Sequence, residues 1–193
     1  MAPPTVLIVG GPNGAGRTTL AEPSAEQKDR PYLAADRIAS ELNPEDPYAA
    51  RVEAGRQFLR RLNAFVEKRT SFVVESTLAG RSLARSIDRM NEAGYITRIA
   101  FVVLDSADLC VRRVQERVRK GGHHVPDADV RRRYTRSKKN FWTLYRPKVD
   151  RWHLLLNADD GFVDVATGTP TDTFVLDDDA FDAFHRDLST RHG

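Results

Sequence analysis

The sequence predicts an α/β fold: a five-stranded parallel sheet, in the strand order 2-3-1-4-5, with helices on both faces. Five short apolar runs lack polar alternation, as strands buried on both faces do; they cover residues 5–9, 32–35, 72–74, 99–104 and 152–156. Helical periodicity fills the intervals between them. Strands that alternate with helices form βαβ units, and these build a parallel sheet.

The helix between the second and third predicted strands has the clearest pattern. Its apolar residues fall on one face of a 3.6-residue period, at Ala54, Phe58, Leu62, Phe65 and Val66. Shorter stripes of the same kind occur in residues 83–90 and 111–118. We therefore expect each of these helices to pack one apolar face against the sheet.

Composition predicts one domain over residues 1–193. Hydrophobic residues make up 40% and charged residues 30% of the chain, which suits a globular protein and excludes a disordered or disulfide-rich one. The longest uncharged apolar run, 99–104, is far shorter than the ~20 residues that cross a membrane. The start of the chain lacks the segments of a signal peptide, so we expect a cytoplasmic protein that contacts no membrane. The single cysteine, Cys110, is predicted to lie in the core.

Charge is unevenly distributed in the second half of the chain. Residues 112–139 contain eleven Lys and Arg but only three acidic residues, and a glycine-containing break at 121–126 divides them. We expect a basic lid hairpin here. From 159 to 187 there are nine aspartates and one arginine, and we expect an irregular acidic segment over about 157–193. Nucleic-acid binding is disfavoured because the basic hairpin lacks interleaved aromatic residues for base stacking.

The most informative segment, GGPNGAGRTTL, follows the first predicted strand. Gly11, Gly16 and Thr18 fit the Walker A pattern, in which a glycine-rich loop wraps backbone N–H groups around phosphate at a helix N-terminus. This predicts a P-loop NTPase fold that binds ATP and Mg²⁺, with Thr18 as a magnesium ligand. The predicted nucleotide-binding residues are Gly11, Pro12, Asn13, Gly14, Ala15, Gly16, Arg17, Thr18 and Thr19.

Arg17 stands where the Walker A pattern has lysine. A guanidinium group still binds phosphate, but it is larger than the compact ammonium group that this tight loop normally receives. Binding of nucleotide is therefore expected, with two outcomes open for catalysis: an attenuated enzyme, or a nucleotide-binding protein with weak turnover.

Seven segments, in order, resemble the zeta-toxin family of P-loop kinases: GPNGAGRTT, AADRIASELNP, EAGRQFL, FVVESTLAG, RVQERVRKGGHHVP, RRRYTRSKKNF and WHLLLNAD. The resemblance implies ATP-dependent phosphorylation of a hydroxyl group on a UDP-N-acetylglucosamine-like sugar nucleotide, and a possible antitoxin partner. The sequence departs from the family at Arg17, at Ala34, where asparagine is common, and in lacking the extension of the larger toxins.

The ends of two predicted strands carry candidate site residues. Asp36 follows the second strand and matches the family's catalytic base, although it also suits a helix N-cap. Glu75 ends the third strand, where a carboxylate either holds magnesium or, as the resemblance implies, binds a sugar hydroxyl. Ser76 and Thr77 either bind substrate or cap the next helix.

The basic hairpin supplies the remaining candidates. Phosphoryl transfer needs cationic donors near the γ-phosphate, and arginines on a closing lid provide them. By resemblance, Arg117 and Arg132 are predicted to be catalytic, with Arg119, Arg131 and Arg133 as open alternatives. The predicted function is a small-molecule phosphotransferase; a kinase for a different hydroxyl compound is the main alternative.

Overall fold

A computed structural model describes residues 2–122, 124–158 and 160–189. Its centre is a seven-stranded sheet in the order β2-β3-β1-β4-β5-β6-β7. The first five strands are parallel to one another, whereas β6 and β7 are antiparallel additions at one side. The strands are β1 (Thr5–Gly10), β2 (Tyr32–Ala34), β3 (Phe72–Ser76), β4 (Ile96–Val103), β5 (Arg151–Ala158), β6 (Gly161–Gly168) and β7 (Thr173–Val175).

Both faces of the parallel strands are covered. Phe72, Val73 and Val74 are consecutive and each is 0% exposed, so side chains on opposite faces of β3 are buried equally. The covering helices are α1 (Arg17–Glu26), α2 (Ala35–Leu42), α3 (Arg51–Glu67), α4 (Ser82–Glu92), α5 (Ala107–Arg119), α6 (Asp127–Asn140) and α7 (Asp178–Ser189). None of these helices combines the length and apolar character needed to cross a bilayer.

The predicted parallel core is confirmed in its five strands and their order. Helix α3 buries Ala54, Phe58, Leu62 and Val66 as its periodicity predicts. Cys110 is fully buried in the core, and burial raises the pKa of its thiol to about 12. These elements were predictable because each is specified by a local apolar pattern.

Two predictions need correction. The sheet has seven strands and is mixed, and the acidic segment is not irregular, since it contains β6, β7 and α7. An antiparallel strand at the side of a sheet needs few apolar residues, and all three residues of β7 are exposed. An acidic composition therefore gave no apolar pattern from which β6 and β7 could be predicted. Residue 159 and residues 190–193 of that segment, and residue 123 of the basic hairpin, lie outside the described residues.

Helices α5 and α6 form the basic hairpin, and α6 is anchored to the rest of the fold. The hydroxyl of Tyr134 donates to the carbonyl oxygen of Leu104, 3.1 Å away, at the end of β4. Ser137 donates to the carbonyl oxygen of Thr77 across 2.5 Å. These bonds hold α6 beside the carboxyl ends of β3 and β4.

Candidate functional site

The predicted phosphate loop joins β1 to α1 and depends on glycine at two close approaches. Gly11 has φ +147°, and a Cβ there would lie 2.2 Å from the carbonyl oxygen of Val102. Gly16 has φ +90°, and its Cβ would lie 2.4 Å from Nδ2 of Asn157, which donates to the carbonyl oxygen of Ala15. A side chain at Gly11 would meet backbone, and one at Gly16 would have to adopt a left-handed conformation and displace Asn157, so the Walker A spacing has a steric basis here.

A first cavity of about 530 Å³ lies over this loop. Most of the predicted nucleotide-binding residues line it, while Gly11 and Asn13 belong to the loop beneath it. Arg113 and Arg117, from α5, line the same cavity. The loop residues at its wall are Pro12, Gly14, Ala15, Gly16, Arg17, Thr18 and Thr19.

Arg17 lies beneath the cavity with only 6% of its side chain exposed. Its Nη1 donates to the carbonyl oxygen of Gly11 at 2.5 Å, and its Nε donates to Oε1 of Glu75 at 3.2 Å. Its Nη2 lies 3.5 Å from Oδ2 of Asp36. The guanidinium group thus connects the phosphate loop to the two carboxylates that sequence analysis singled out.

Glu75 is the other buried hub, at 5% exposure near the end of β3. Its Oε2 accepts hydrogen bonds from the hydroxyl of Thr18 at 3.0 Å and from that of Tyr32 at 2.5 Å. Burial, and then the negative charge of Glu75, raise the pKa of Tyr32 above its ordinary range. Tyr32 therefore remains a protonated donor to Glu75 at neutral pH.

Hard oxygen donors are present for a magnesium ion, although not a complete set. Within the described ranges, no group of three or more His, Cys, Asp and Glu side chains is arranged to hold a metal. Thr18 and Glu75 place a hydroxyl and a carboxylate side by side, which suits an ion that takes only one or two protein ligands and completes its shell with phosphate and water.

Asp36 lies in the first turn of α2, with 40% of its side chain exposed. The N-cap of α2 is Ala34, whose side chain makes no capping bond, so Asp36 does not fill that alternative role. Likewise, α4 begins after Arg81, and Ser76 and Thr77 do not cap it. Their hydroxyls instead accept from backbone N–H groups two residues ahead, in local turns.

A second cavity, of about 380 Å³, lies between α3, α6 and the segment that follows β3. Ser76 and Thr77 line it. Four residues line both cavities and so form the wall between them: Arg17, Ala34, Asp36 and Glu75. Four arginines line the second cavity only, namely Arg51, Arg132, Arg133 and Arg136.

The structure separates the predicted catalytic arginines. Arg117 lines the first cavity, where burial lowers the pKa of its guanidinium and Asp36, Arg17 and Glu75 are near enough to act on it electrostatically. Arg132 is 52% exposed and pairs with Asp129 at 2.6 Å. Of the three consecutive arginines, Arg133 is the one that contacts the phosphate loop.

That contact runs from Nη1 of Arg133 to Oδ1 of Asn13, 3.1 Å away. Sequence reasoning named Arg133 only as an alternative, because helical spacing alone does not specify which of three adjacent arginines faces a loop. It missed Tyr32 and Arg51 altogether. Tyr32 was read only as part of an apolar strand, whereas the position of Arg51 at the second cavity depends on the tertiary packing of α3.

The chain is similar to a described protein family and to one curated protein. A family described as an AAA domain matches residues 6–138. An uncharacterized protein of Haemophilus influenzae is 27% identical over 124 residues, which are 64% of this chain and 88% of that protein.

Solved structures share the fold at low identity. A chain from the AvrRxo1-ORF1:-ORF2 complex with ATP superposes with a TM-score of 0.78 at 16% identity, over 98% of this chain. This chain spans only 66% of the length of that one. A chain of the PezAT toxin-antitoxin system of Streptococcus pneumoniae superposes with a TM-score of 0.65 at 15% identity, over 100% of this chain and 81% of that one. At these identities the likeness establishes a P-loop kinase-like fold.

Proposed function

Because the chain belongs to the AAA domain family and has a P-loop kinase-like fold, we propose that it transfers the γ-phosphoryl group of ATP to a hydroxyl group of a small molecule. The observation that carries the proposal is the position of Asp36 in the wall between two cavities. One cavity lies over the phosphate loop, and the other is open to an acceptor. A carboxylate between them has the location that a general base requires.

The first cavity fits the nucleotide. Its glycines let the loop lie close against Val102 and Asn157, and Thr18 and Glu75 offer oxygen ligands for Mg²⁺. Superposition on a complex that was solved with ATP supports this assignment. When bound, Mg²⁺ and ATP supply the phosphoryl group and neutralise part of its charge.

In the second cavity, the residues of the chain prepare the acceptor. Asp36 accepts the proton of the acceptor hydroxyl while the oxygen of that hydroxyl bonds to the γ-phosphorus. The bond between the γ-phosphorus and the β–γ bridging oxygen breaks, and ADP leaves. We infer that Arg117, which lines the first cavity, and Arg133, which contacts Asn13 of the phosphate loop, stabilise the charge that spreads over the transferred group.

The second cavity favours an acceptor that carries phosphate. Four arginines from the two helices that flank it, α3 and α6, line this cavity, and planar guanidinium groups bind phosphate oxygens in pairs. Ser76 and Thr77 provide hydroxyl groups suited to a sugar. These features support a sugar nucleotide such as UDP-N-acetylglucosamine, in agreement with the resemblance to zeta toxins.

Membership of the zeta-toxin family, and an antitoxin partner, form part of the proposal. The likeness to a chain of the PezAT toxin-antitoxin system supports both. A weakly active nucleotide-binding protein is the second candidate, favoured by one observation: Arg17, at the end of the phosphate loop, contacts the carboxylates of Glu75 on β3 and Asp36 on α2.

The test is phosphotransfer with Mg-ATP and a panel of UDP-sugars, other sugar nucleotides and free sugars. Product masses and ADP release are followed together, and the Asp36→Asn variant, which lacks the proposed general base, serves as the negative control. We expect ADP release that depends on an acceptor, and one product heavier by a phosphoryl group. ADP release with no phosphorylated product would identify an ATPase. Nucleotide binding without ADP release would favour the weakly active binder.

A further inference from the structure

The guanidinium group of Arg17 is held by three protein groups, one on each of its nitrogens. Nη1 bonds to the carbonyl oxygen of Gly11 at 2.5 Å, Nε to Glu75 at 3.2 Å, and Nη2 lies 3.5 Å from Asp36. The side chain is 6% exposed, so these contacts replace water as its surroundings. Such a group has a fixed orientation before any ligand arrives.

The charges around Arg17 argue against phosphate as its main partner. One positive charge faces two carboxylates, of which Glu75 is as buried as Arg17 itself. Charge that already compensates two nearby carboxylates attracts a phosphate less strongly than an uncompensated cation does. Arg113 and Arg117 line the nucleotide side of the same wall and supply positive charge there.

The geometry also distinguishes arginine from lysine. A guanidinium group spreads its donors over three nitrogens of one plane, whereas the three donors of an ammonium group all lie on one nitrogen. A lysine at this position would keep the charge, but its donors would not span Gly11, Glu75 and Asp36 as the three guanidinium nitrogens do.

Building on the proposed function, we propose that Arg17 is the positioning residue of the general base: it fixes the Asp36 carboxylate relative to Glu75 and to the phosphate loop. Nucleotide binding then rests on the backbone of the loop and on Arg113 of α5, whereas Arg117 meets the phosphoryl group during transfer. Arg17 thus links the general base at the second cavity to the phosphate loop at the first. A Walker A lysine at this position would not make that link.

The proposal reverses the expectation for Arg17→Lys. If Arg17 were a poor substitute for a phosphate-binding lysine, restoring lysine would raise kcat. If Arg17 positions Asp36, we expect kcat to fall at least 10-fold while the Kd of ADP and the KM of ATP stay within about 3-fold. An increase in kcat, or an unchanged kcat, overturns the proposal.

A second variant separates positioning from a general role in folding. Arg17→Ala removes the guanidinium group and leaves space for a free guanidinium ion at low, non-denaturing concentration. We expect added guanidinium to restore part of kcat without changing ADP affinity, and methylammonium to fail. Equal rescue by both ions would show that charge alone matters and would overturn the proposal. Arg56→Lys, an exposed arginine of α3 paired with Glu53, is the matched control and should leave all constants unchanged.

The nucleotide measurement also separates this proposal from the proposed function. ADP binding is followed by calorimetric titration and needs no turnover. If the unaltered protein transfers no phosphoryl group, the proposed function fails on its own assay. A change of 10-fold or more in the Kd of ADP in Arg17→Lys would instead identify Arg17 as a phosphate ligand and overturn the positioning role, whether or not the protein is active.

Discussion

The hydroxyl of Thr18 donates to Oε2 of Glu75 across 3.0 Å, so the first turn of α1 is tied directly to the end of β3. Arg17 and Tyr32 bond to the same carboxylate. Glu75, on β3, therefore gathers donors from α1 and β2 into one polar network. Such networks stabilise a fold when every member has a partner, and they are sensitive to the loss of one.

We predict that Glu75→Gln lowers the free energy of unfolding by about 2 kcal/mol or more, because the amide keeps the shape but removes the charge beside buried Arg17. Urea denaturation, followed by far-UV circular dichroism, measures the change.

Asp88→Asn is the matched control, since Asp88 pairs with Lys148 at 2.6 Å and both side chains retain solvent contact. A surface pair of this kind contributes about 0–1 kcal/mol. If Glu75→Gln costs no more than Asp88→Asn, the buried network does not stabilise the fold as we infer.

Asp36→Asn should abolish phosphotransfer while leaving nucleotide binding nearly intact. The amide cannot accept the acceptor's proton, and loss of a general base typically lowers kcat by about 10²–10⁴-fold. ADP titration and single-turnover assays provide the two measurements. Glu41→Gln, on the same helix and 50% exposed, should change neither. Loss of ATP binding in folded Asp36→Asn would assign Asp36 to the nucleotide and require a different base.

Sequence patterns predicted the parallel core because local periodicity specifies it. They predicted Asp36 and Glu75 as site candidates because residues that follow parallel strands meet at one sheet edge. The pairing of Arg17 with both carboxylates was not predictable, since it depends on side-chain rotamers and joins Arg17 to Glu75, 58 positions along the chain, as well as to Asp36.

The antiparallel side of the sheet escaped prediction for a different reason. Strand β6 alternates only weakly, with Val163 exposed and Val165 buried, and pairs with β5 through a register shift near Leu154 and Leu155. A bulge interrupts the two-residue period on which strand prediction depends. The aspartates around β7 also favoured the incorrect prediction of an irregular segment, because aspartate is uncommon in strands.

Arg136→Ala should weaken acceptor binding selectively. Arg136 is exposed on α6 and lines the second cavity without lining the first. Loss of a charge-assisted hydrogen bond to a phosphate costs about 1.5–3 kcal/mol, so we expect the KM of the acceptor to rise roughly 10-fold or more. The KM of ATP should not change. Equal increases in the KM of the acceptor and the KM of ATP would indicate that Arg136 acts only through the overall positive charge, and would exclude a specific contact with the acceptor.

Cys110 should make the fold more sensitive to alkali. Burial raises the pKa of its thiol from 9.0 to about 12. As pH rises past 9, the thiol of the unfolded chain loses its proton before that of the folded protein does. The thiol's contribution to the free energy of unfolding is therefore fully present below pH 9 and is lost as pH approaches 12. The loss is at most about 1.4 kcal/mol per pH unit.

Urea denaturation at a series of pH values measures this slope. Cys110→Ala should unfold with a shallower dependence on pH above 9, because the group that titrates is absent. The comparison uses slopes and not absolute stabilities, since alanine also leaves a small cavity. Identical slopes for the two proteins would show that the thiol titrates alike in both states.

The last prediction ranks the arginines of the basic hairpin. Arg117→Ala should lower kcat by about 10²–10³-fold with little change in ADP affinity, because a donor that meets charge only during transfer acts on the transition state. Arg133→Ala should follow it, since Arg133 contacts Asn13 of the phosphate loop. Arg132→Ala should have the smallest effect of the three, because Arg132 pairs with Asp129 and is half exposed.

Single-turnover assays at two ionic strengths test this ranking against a general field. Arg112→Ala and Lys139→Ala are the controls, since both residues are exposed on the hairpin, whereas Lys138 is 3% exposed and packs between the rings of Tyr134 and Phe184. A steering field would weaken all five variants alike, and salt would reduce the differences. If the contacts are specific, Arg117→Ala and Arg133→Ala should lower the rate more than the control variants do at both ionic strengths. If Arg132→Ala instead matches Arg117→Ala, the pair predicted from the sequence is the catalytic one, and the contact between Arg133 and Asn13 serves to fix α6 against the loop.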